Sequence, residues 1–266
     1  MIQHRIPVGG GWIAAYEDGA GPPLMLLPGL GGRASFWEPI VPALRSQFRV
    51  ISLDHRGCGA SSRCRIQYSV EQMAADTLAV LDALGIPYAH LVGHSTGGAI
   101  VQLLGAHHPA RCGRLVISSS WAGPDAYVRD SFALRVAVLR GLGVAKYEEL
   151  VDLMIYPPEW YAKNRAEVAA RRRRAEDSVD TEILERRINA VVSYDGRPVV
   201  HRISSPSLII GVRDDAVIPA SLSREIHEAI RGSELQILNT GGHAAPRIES
   251  RAFLGALARF LGVSSC

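Results

Sequence analysis

Six short, nearly continuous apolar runs are spread along the sequence, and they constrain the fold more than any other feature. They are PLMLLP (23–28), FRVISLD (48–54), AHLVG (89–93), RLVISSS (114–120), PSLIIGV (206–212) and ELQILN (234–239). None shows the strict apolar–polar alternation of a half-exposed strand, so strands built from them must be covered on both faces. Helical stretches lie between the runs. In YSVEQMAADTLAVLDALG, Met73, Thr77, Leu78, Leu81 and Leu84 recur at helical spacing. Ser69 followed by Gln72 forms a capping box, and Gly85 suits the position just past the helix end. Further helices are predicted in TGGAIVQLLGAHHPA (ending before Pro109), near SLSREIHEAIRG and through RAFLGALARFLG. Buried strands alternating with helices predict an α/β fold with a mainly parallel sheet.

Composition narrows the function classes. A chain of 266 residues, 47% hydrophobic, suits one globular domain with a large core and room for an inserted subdomain. The formal charge of +3 does not call for nucleic acid or a membrane surface. No apolar run reaches the roughly 18–20 residues of a membrane span. The N-terminal MIQHRIPVGGGWIAAYEDG places charges and glycines where a signal peptide has its apolar block. The expectation is a cytoplasmic monomer or homodimer with a small-molecule substrate and neither a nucleic-acid nor a membrane partner. Cys58, Cys64, Cys112 and Cys266 lack metal-ligand spacing and are expected to be free thiols.

The stretch LVGHSTGGAI (91–100) places Ser95 between Gly93 and Gly97, where a strand gives way to a helix. Such a turn is too sharp for bulky neighbours and presents the serine hydroxyl above the carboxyl edge of the sheet. The next amide, of Thr96, lies at a helix N-terminus, where N–H groups lack intrahelical partners and can stabilise an anion. A nucleophilic serine needs a base and an orienting acid. His107, His108, His227 and His4 lie in helices or near the terminus, whereas His243 lies in NTGGHAAP, directly after the last strand. The loop after the preceding strand, in LIIGVRDDAVIP, offers Asp214 and Asp215. Adjacent residues point different ways, so one of them faces His243; Asp215 is favoured, leaving Asp214 as a solvated or turn-capping carboxylate. Ser95, Asp215 and His243 then follow one known chain order of serine, acid and histidine.

LLPGLGGRASFW, LDHRGCGASS, VGHSTGG, GVRDDAVIP and GGHAAP together resemble the α/β-hydrolase family along nearly the whole chain. The resemblance implies an α/β-hydrolase fold, with a mostly parallel, eight-stranded-type sheet and helices on both faces. It divides the chain into a core of residues 1–120 and 203–266 and a helical lid at 121–202. It implies that the N–H of Leu30 joins that of Thr96 in an oxyanion hole. Pro28-Gly29 stands where many relatives have His-Gly, which keeps the backbone donor but removes a side chain that often buttresses the loop. Asp215, four residues before Pro219, matches the usual position of the acid.

Serine at position 95, rather than aspartate, favours acyl transfer over alkylation chemistry. No metal or organic cofactor is called for. In the lid, Pro157-Pro158 predicts a break between helices. Tyr156, Trp160 and Tyr161 are candidates for the substrate pocket, as are Trp37 and Trp121 by their position near the oxyanion loop and a strand end. The arginine run at 171–174 reads as a solvated helix face, with attraction of a carboxylate-bearing substrate as the alternative. Within the superfamily the chain resembles 3-oxoadipate enol-lactonases and aminoacrylate hydrolases of the Rut pyrimidine-degradation pathway, through GLGG followed by a tryptophan, the DHRG turn and IYPPEW. The reading is a serine hydrolase of a small carboxylic ester, lactone or amide-like bond. The alternatives are carbon–carbon bond hydrolysis or acyl transfer on the same triad, or a small-molecule receptor.

Overall fold

A computed structural model describes residues 1–176 and 179–262, with the backbone alone described at 174–176. Its strands are β1 (Ile2–Val8), β2 (Gly11–Asp18), β3 (Pro23–Leu27), β4 (Arg49–Asp54), β5 (Ala89–His94), β6 (Cys112–Ser118), β7 (Ser207–Val212) and β8 (Glu234–Leu238). They form one sheet in the order β1-β2-β4-β3-β5-β6-β7-β8. The six apolar runs are β3 to β8, and all of these pair in parallel. β1 and β2 form an antiparallel hairpin whose second strand pairs antiparallel with β4. That hairpin was not legible as strands. It sits at the sheet edge, β1 buries only Ile6 fully, and the apolar run of β2, Trp12–Tyr16, is short and rich in alanine.

Strand side chains alternate between two cores, as a period of two requires. Met25, Leu27, Leu91, Leu115, Ile117 and Ile209 pack on the side of α2 (Val70–Ala83), α3 (Thr96–His107) and α8 (Ala220–Ala229). Leu24, Leu26, Val92, Val116, Leu208 and Ile210 pack on the side of α1 (Val41–Leu44) and α10 (Ser250–Leu261). Each buried side chain of this size contributes about 1.5–3 kcal/mol relative to exposure, which fixes the sheet between its helical layers. Ser69 Oγ accepts from Gln72 N at 3.1 Å, but the Gln72 amide turns to Asp76, so only half of the capping box forms. Gly85 takes the left-handed conformation (φ 65°) expected just past a helix end. β6 stops at Ser118 because Ser119 has φ 45°, two residues before the end of the apolar run.

Between β6 and β7 the chain forms α4 (Ala126–Ile155), α5 (Pro158–Lys163), α6 (Arg165–Glu176) and α7 (Thr181–Ser193). α4 bends at Gly143, and Pro157-Pro158 separates α4 from α5 as the sequence predicts. The basic run does not begin as a solvated face. Arg171 pairs with Glu148 at 3.0 Å and with Asp152, and Arg172 with Asp152 at 3.0 Å and Glu149 at 3.6 Å, because α6 lies on the acidic side of α4. The Arg174 side chain falls outside the described residues. Cys58, Cys64 and Cys112 are free, and Cys266 lies outside the described residues. Among the described residues no helix is long and apolar enough to cross a membrane.

From β3 the sheet grows to β4 on one side and to β5 on the other, so the strand order reverses between β3 and β5. Loops leaving the carboxyl ends of neighbouring strands at such a switch point diverge and leave a crevice.

Candidate active site

The crevice is built by the turns after β3 and β5. After β5, Ser95 adopts φ 57° and ψ −119°, a region that costs a non-glycine residue about 1–3 kcal/mol and persists only where the surroundings enforce it. Here Ser95 N donates to Ser118 O at 2.8 Å, while Ser95 O accepts from Gly98 N and from Ser120 Oγ, both at 2.9 Å. The flanking glycines are required by close packing: a side chain at Gly93 would collide with the Gly97 carbonyl, and one at Gly97 with the Leu27 carbonyl. Thr96 is the first residue of α3, so its N–H has no partner within the helix.

After β3, Gly32 N closes a turn onto Gly29 O at 2.9 Å, with Gly32 at φ 67°. A Cβ at Gly29 would lie 3.0 Å from Ser95 Cβ, so the loop backbone rests directly against the serine. Two side chains that the sequence reading missed hold this loop. His55 Nε2 donates to Pro28 O at 3.1 Å, and Arg187 Nη2 donates to Leu30 O at 2.9 Å. Burial, reinforced by the Arg187 charge, pushes the His55 pKa down to about 3, so His55 is the neutral imidazole. The support expected to be lost with Pro28 is thus provided from the turn after β4 and from α7. His55 was visible only as part of the DHRG turn. Arg187 was visible as an arginine on the apolar stripe of Ile183 and Val191.

His243 sits in the short 3₁₀ turn Gly242–Ala244 after β8. Its Nδ1 lies 2.8 Å from Asp215 Oδ2, and the Asp215 side chain is fully buried. The other oxygen of Asp215 accepts from Val217 N at 2.8 Å and Ile218 N at 2.9 Å, which fixes the carboxylate. Asp214 faces the other way. Its oxygens accept from Gly242 N at 2.8 Å and Thr240 Oγ1 at 2.7 Å, so it holds the backbone of the histidine loop. The His94 ring lies 4.7 Å from the His243 ring and stacks on Phe36. Burial, and next the charge of His243, keeps the His94 pKa well below its usual value.

Ser95, His243, Gly29 and Leu30 line a cavity of about 670 Å³ beneath α4 and α7. Of the aromatic candidates, Tyr156 lines it. Trp160 stands behind, its ring 4.6 Å from that of Tyr156, and packs with Tyr161 against the cluster of Tyr156, Val168 and Ala244. Trp37 and Trp121 are fully buried in the two cores and are not on the cavity wall. The reason is that the residues following the loop after β3 and following β6 fold inward, Trp37 onto Phe253 and Trp121 among the residues beside α3. Among the described residues, no group of three or more histidine, cysteine or acidic side chains is arranged to hold a metal ion.

Residues 22–246 match the family described as the alpha/beta hydrolase fold. The chain is 34% identical over 240 residues to the protein named "Putative carbamate hydrolase RutD" in Caulobacter sp. strain K31, covering 90% of both chains. It is 35% identical over 234 residues to the protein of that name in Stutzerimonas stutzeri strain A1501, covering 87% of this chain and 88% of the relative. Among solved structures it is similar to the enol-lactonase of Burkholderia xenovorans LB400, with TM-score 0.91 and 26% identity over 97% of this chain and 100% of that one. A hydrolase from Pseudomonas aeruginosa PA01 superposes with TM-score 0.90 and 30% identity, over 98% of each chain.

Proposed function

The chain belongs to the α/β-hydrolase family, and on that premise we propose that it is a serine hydrolase acting through an acyl-enzyme. The observation that carries the reading is the pairing of His243 with buried Asp215 at 2.8 Å, on the wall of the cavity that also holds Ser95 in its strained turn. In this reading Ser95 Oγ attacks a carbonyl carbon and His243 accepts its proton. Asp215 holds the imidazole with Nδ1 protonated and offsets the imidazolium charge. The amides of Leu30 and Thr96 stabilise the tetrahedral oxyanion, worth about 3–4 kcal/mol for one such donor in hydrolases generally. His243 then protonates the leaving group, and water, activated by the same base, releases the acid. The α4–α7 insertion acts as the lid over this site.

The substrate proposed is a small molecule with a carboxylic ester, lactone or amide-like bond, in keeping with relatives named carbamate hydrolase and enol-lactonase. Hydrolysis of p-nitrophenyl acetate and butyrate tests the reading. Ser95→Ala is expected to lower turnover by about three orders of magnitude or more. Near-normal turnover in that variant would reject the mechanism.

A further inference from the structure

Three consecutive serines, Ser118, Ser119 and Ser120, lie at the end of β6, and each is only 1% exposed. Burying a hydroxyl costs free energy unless it is hydrogen-bonded, and alanine would continue the apolar run without that cost. Ser120 differs from the other two in spending its hydroxyl on the backbone of Ser95. Ser119 turns at φ 45°, and the next residue brings Oγ within 2.9 Å of Ser95 O. This approach requires Gly98, because a Cβ there would lie 2.6 Å from Ser120 Cβ and 2.8 Å from Ser120 Oγ. Gln102, one turn further along α3 and 1% exposed, donates from Nε2 to Ser120 Oγ at 3.3 Å. The same nitrogen donates to Gly98 O and Trp121 O at 3.2 and 3.1 Å. Two carbonyls can be met only by a donor, which fixes the orientation of the Gln102 amide. The Ser120 hydroxyl therefore accepts from Gln102 and gives its own proton to Ser95 O.

Ser95 O and Thr96 N belong to one peptide unit. That unit is planar and trans, so its C=O and N–H point in opposite directions and turn together. Ser95 O also accepts from Gly98 N at 2.9 Å and Ala99 N at 3.2 Å, and Ser120 adds a third donor from outside the helix. Ser95 is strained at φ 57° and ψ −119°, and any relaxation of ψ swings the Thr96 N–H with the peptide plane. A donor anchored beyond β6 resists that rotation. It also polarises the peptide unit, which strengthens its N–H as a donor.

We propose that Ser120, backed by Gln102, is a positioning residue for catalysis, locking the Ser95–Thr96 peptide so that the Thr96 N–H meets the oxyanion formed at Ser95. This rests on the hydrolase reading above and adds to it a residue beneath the site. Ser120 is not on the cavity wall, so its influence reaches the oxyanion through the backbone alone.

The test uses wild type, Ser120→Cys and Ser120→Ala. It measures p-nitrophenyl butyrate hydrolysis and inhibition by two compounds of one shape, 1,1,1-trifluoropentan-2-one and 1,1,1-trifluoropentan-2-ol. Ser95 Oγ adds to the ketone carbon, its proton passes to His243 and the carbonyl electron pair moves to oxygen, which creates the oxyanion. The alcohol fills the same space without forming one. Removing a whole oxyanion donor costs about 10²–10³-fold, so loosening one in Ser120→Ala is expected to lower kcat by about tenfold. KM should stay within about twofold, because the ground state makes no use of the donor. The Ki of the ketone should rise by the same factor as kcat falls, and that of the alcohol should not change. Ser120→Cys, with a weak thiol donor, should fall between wild type and Ser120→Ala in both respects. Unchanged kcat and ketone Ki in the variants, or parallel weakening of ketone and alcohol, would overturn the positioning role and leave the hydrolase standing. A wild type that cleaves no ester and binds the ketone no more tightly than the alcohol would overturn the hydrolase, and the positioning role with it. Ser120→Cys keeps the shape of the site, so the comparison decides the question even if Ser120→Ala does not fold.

Discussion

At the scale of single residues, the adjacent aspartates show how neighbouring carboxylates can turn to different partners. Asp215 is buried and spends one oxygen on His243 and the other on two backbone amides, whereas Asp214 spends both on the loop that presents His243. Asp215→Asn is expected to cut kcat by about 10³–10⁴-fold, because the amide no longer selects the imidazole tautomer that can accept the serine proton. Asp214→Asn should instead cost about 1 kcal/mol of stability in urea unfolding, since it weakens a hydrogen bond at an exposed loop. Equal losses of kcat in the two variants would reverse this division of roles. The choice between neighbours was open in the sequence because side-chain direction in an irregular loop depends on a few dihedral angles that spacing does not encode. The placement of Ser95 and His243 on one cavity was legible for the opposite reason. Each sits at a strand's carboxyl end among glycines, and that context is local.

At the scale of elements, β3 to β7 were legible because two-sided burial demands continuous apolar runs, and α2 because its period, cap and terminal glycine agree; β8 departs from the expected two-sided cover, since as the last strand of the sheet it buries only Leu238. The β1–β2 hairpin was not legible, since an edge hairpin needs neither. The insertion was hardest to read. Its helices are rich in arginine, and which arginines meet acids depends on how α6 crosses α4. Asp152 holds that junction: its side chain is fully buried and it accepts from both Arg171 and Arg172. Asp152→Asn removes the charge that two cations share. Breaking a buried pair typically costs about 3–5 kcal/mol, and the partial exposure of both arginines reduces that to about 2–3 kcal/mol here. Urea unfolding of the variant measures it, and an unchanged midpoint would mean that the α4–α6 contact contributes little to stability.

At the scale of the whole molecule, the sheet and the insertion meet at the loop after β3. The β-sheet presents Ser95, the loops after β7 and β8 present Asp215 and His243, and α7 reaches down through Arg187 to hold Leu30. The same insertion brings Arg135 and Tyr156 to the cavity wall, while Trp37 and Trp121, which looked like pocket residues from their positions in the chain, stabilise the cores beneath. Aromatic residues near a strand end can turn inward or outward with equal ease, and only the packing of α1, α3 and α10 decides which. The central claim is that this assembly activates Ser95. Intact-mass analysis after treatment with a serine-reactive fluorophosphonate tests it on wild type, Ser95→Ala and His243→Ala. A single adduct on the wild type, absent from Ser95→Ala and formed far more slowly on His243→Ala, is the expected result. A wild-type protein that takes up no adduct, or a Ser95→Ala variant that is labelled as readily, would contradict the claim and leave Ser95 as a strained turn residue.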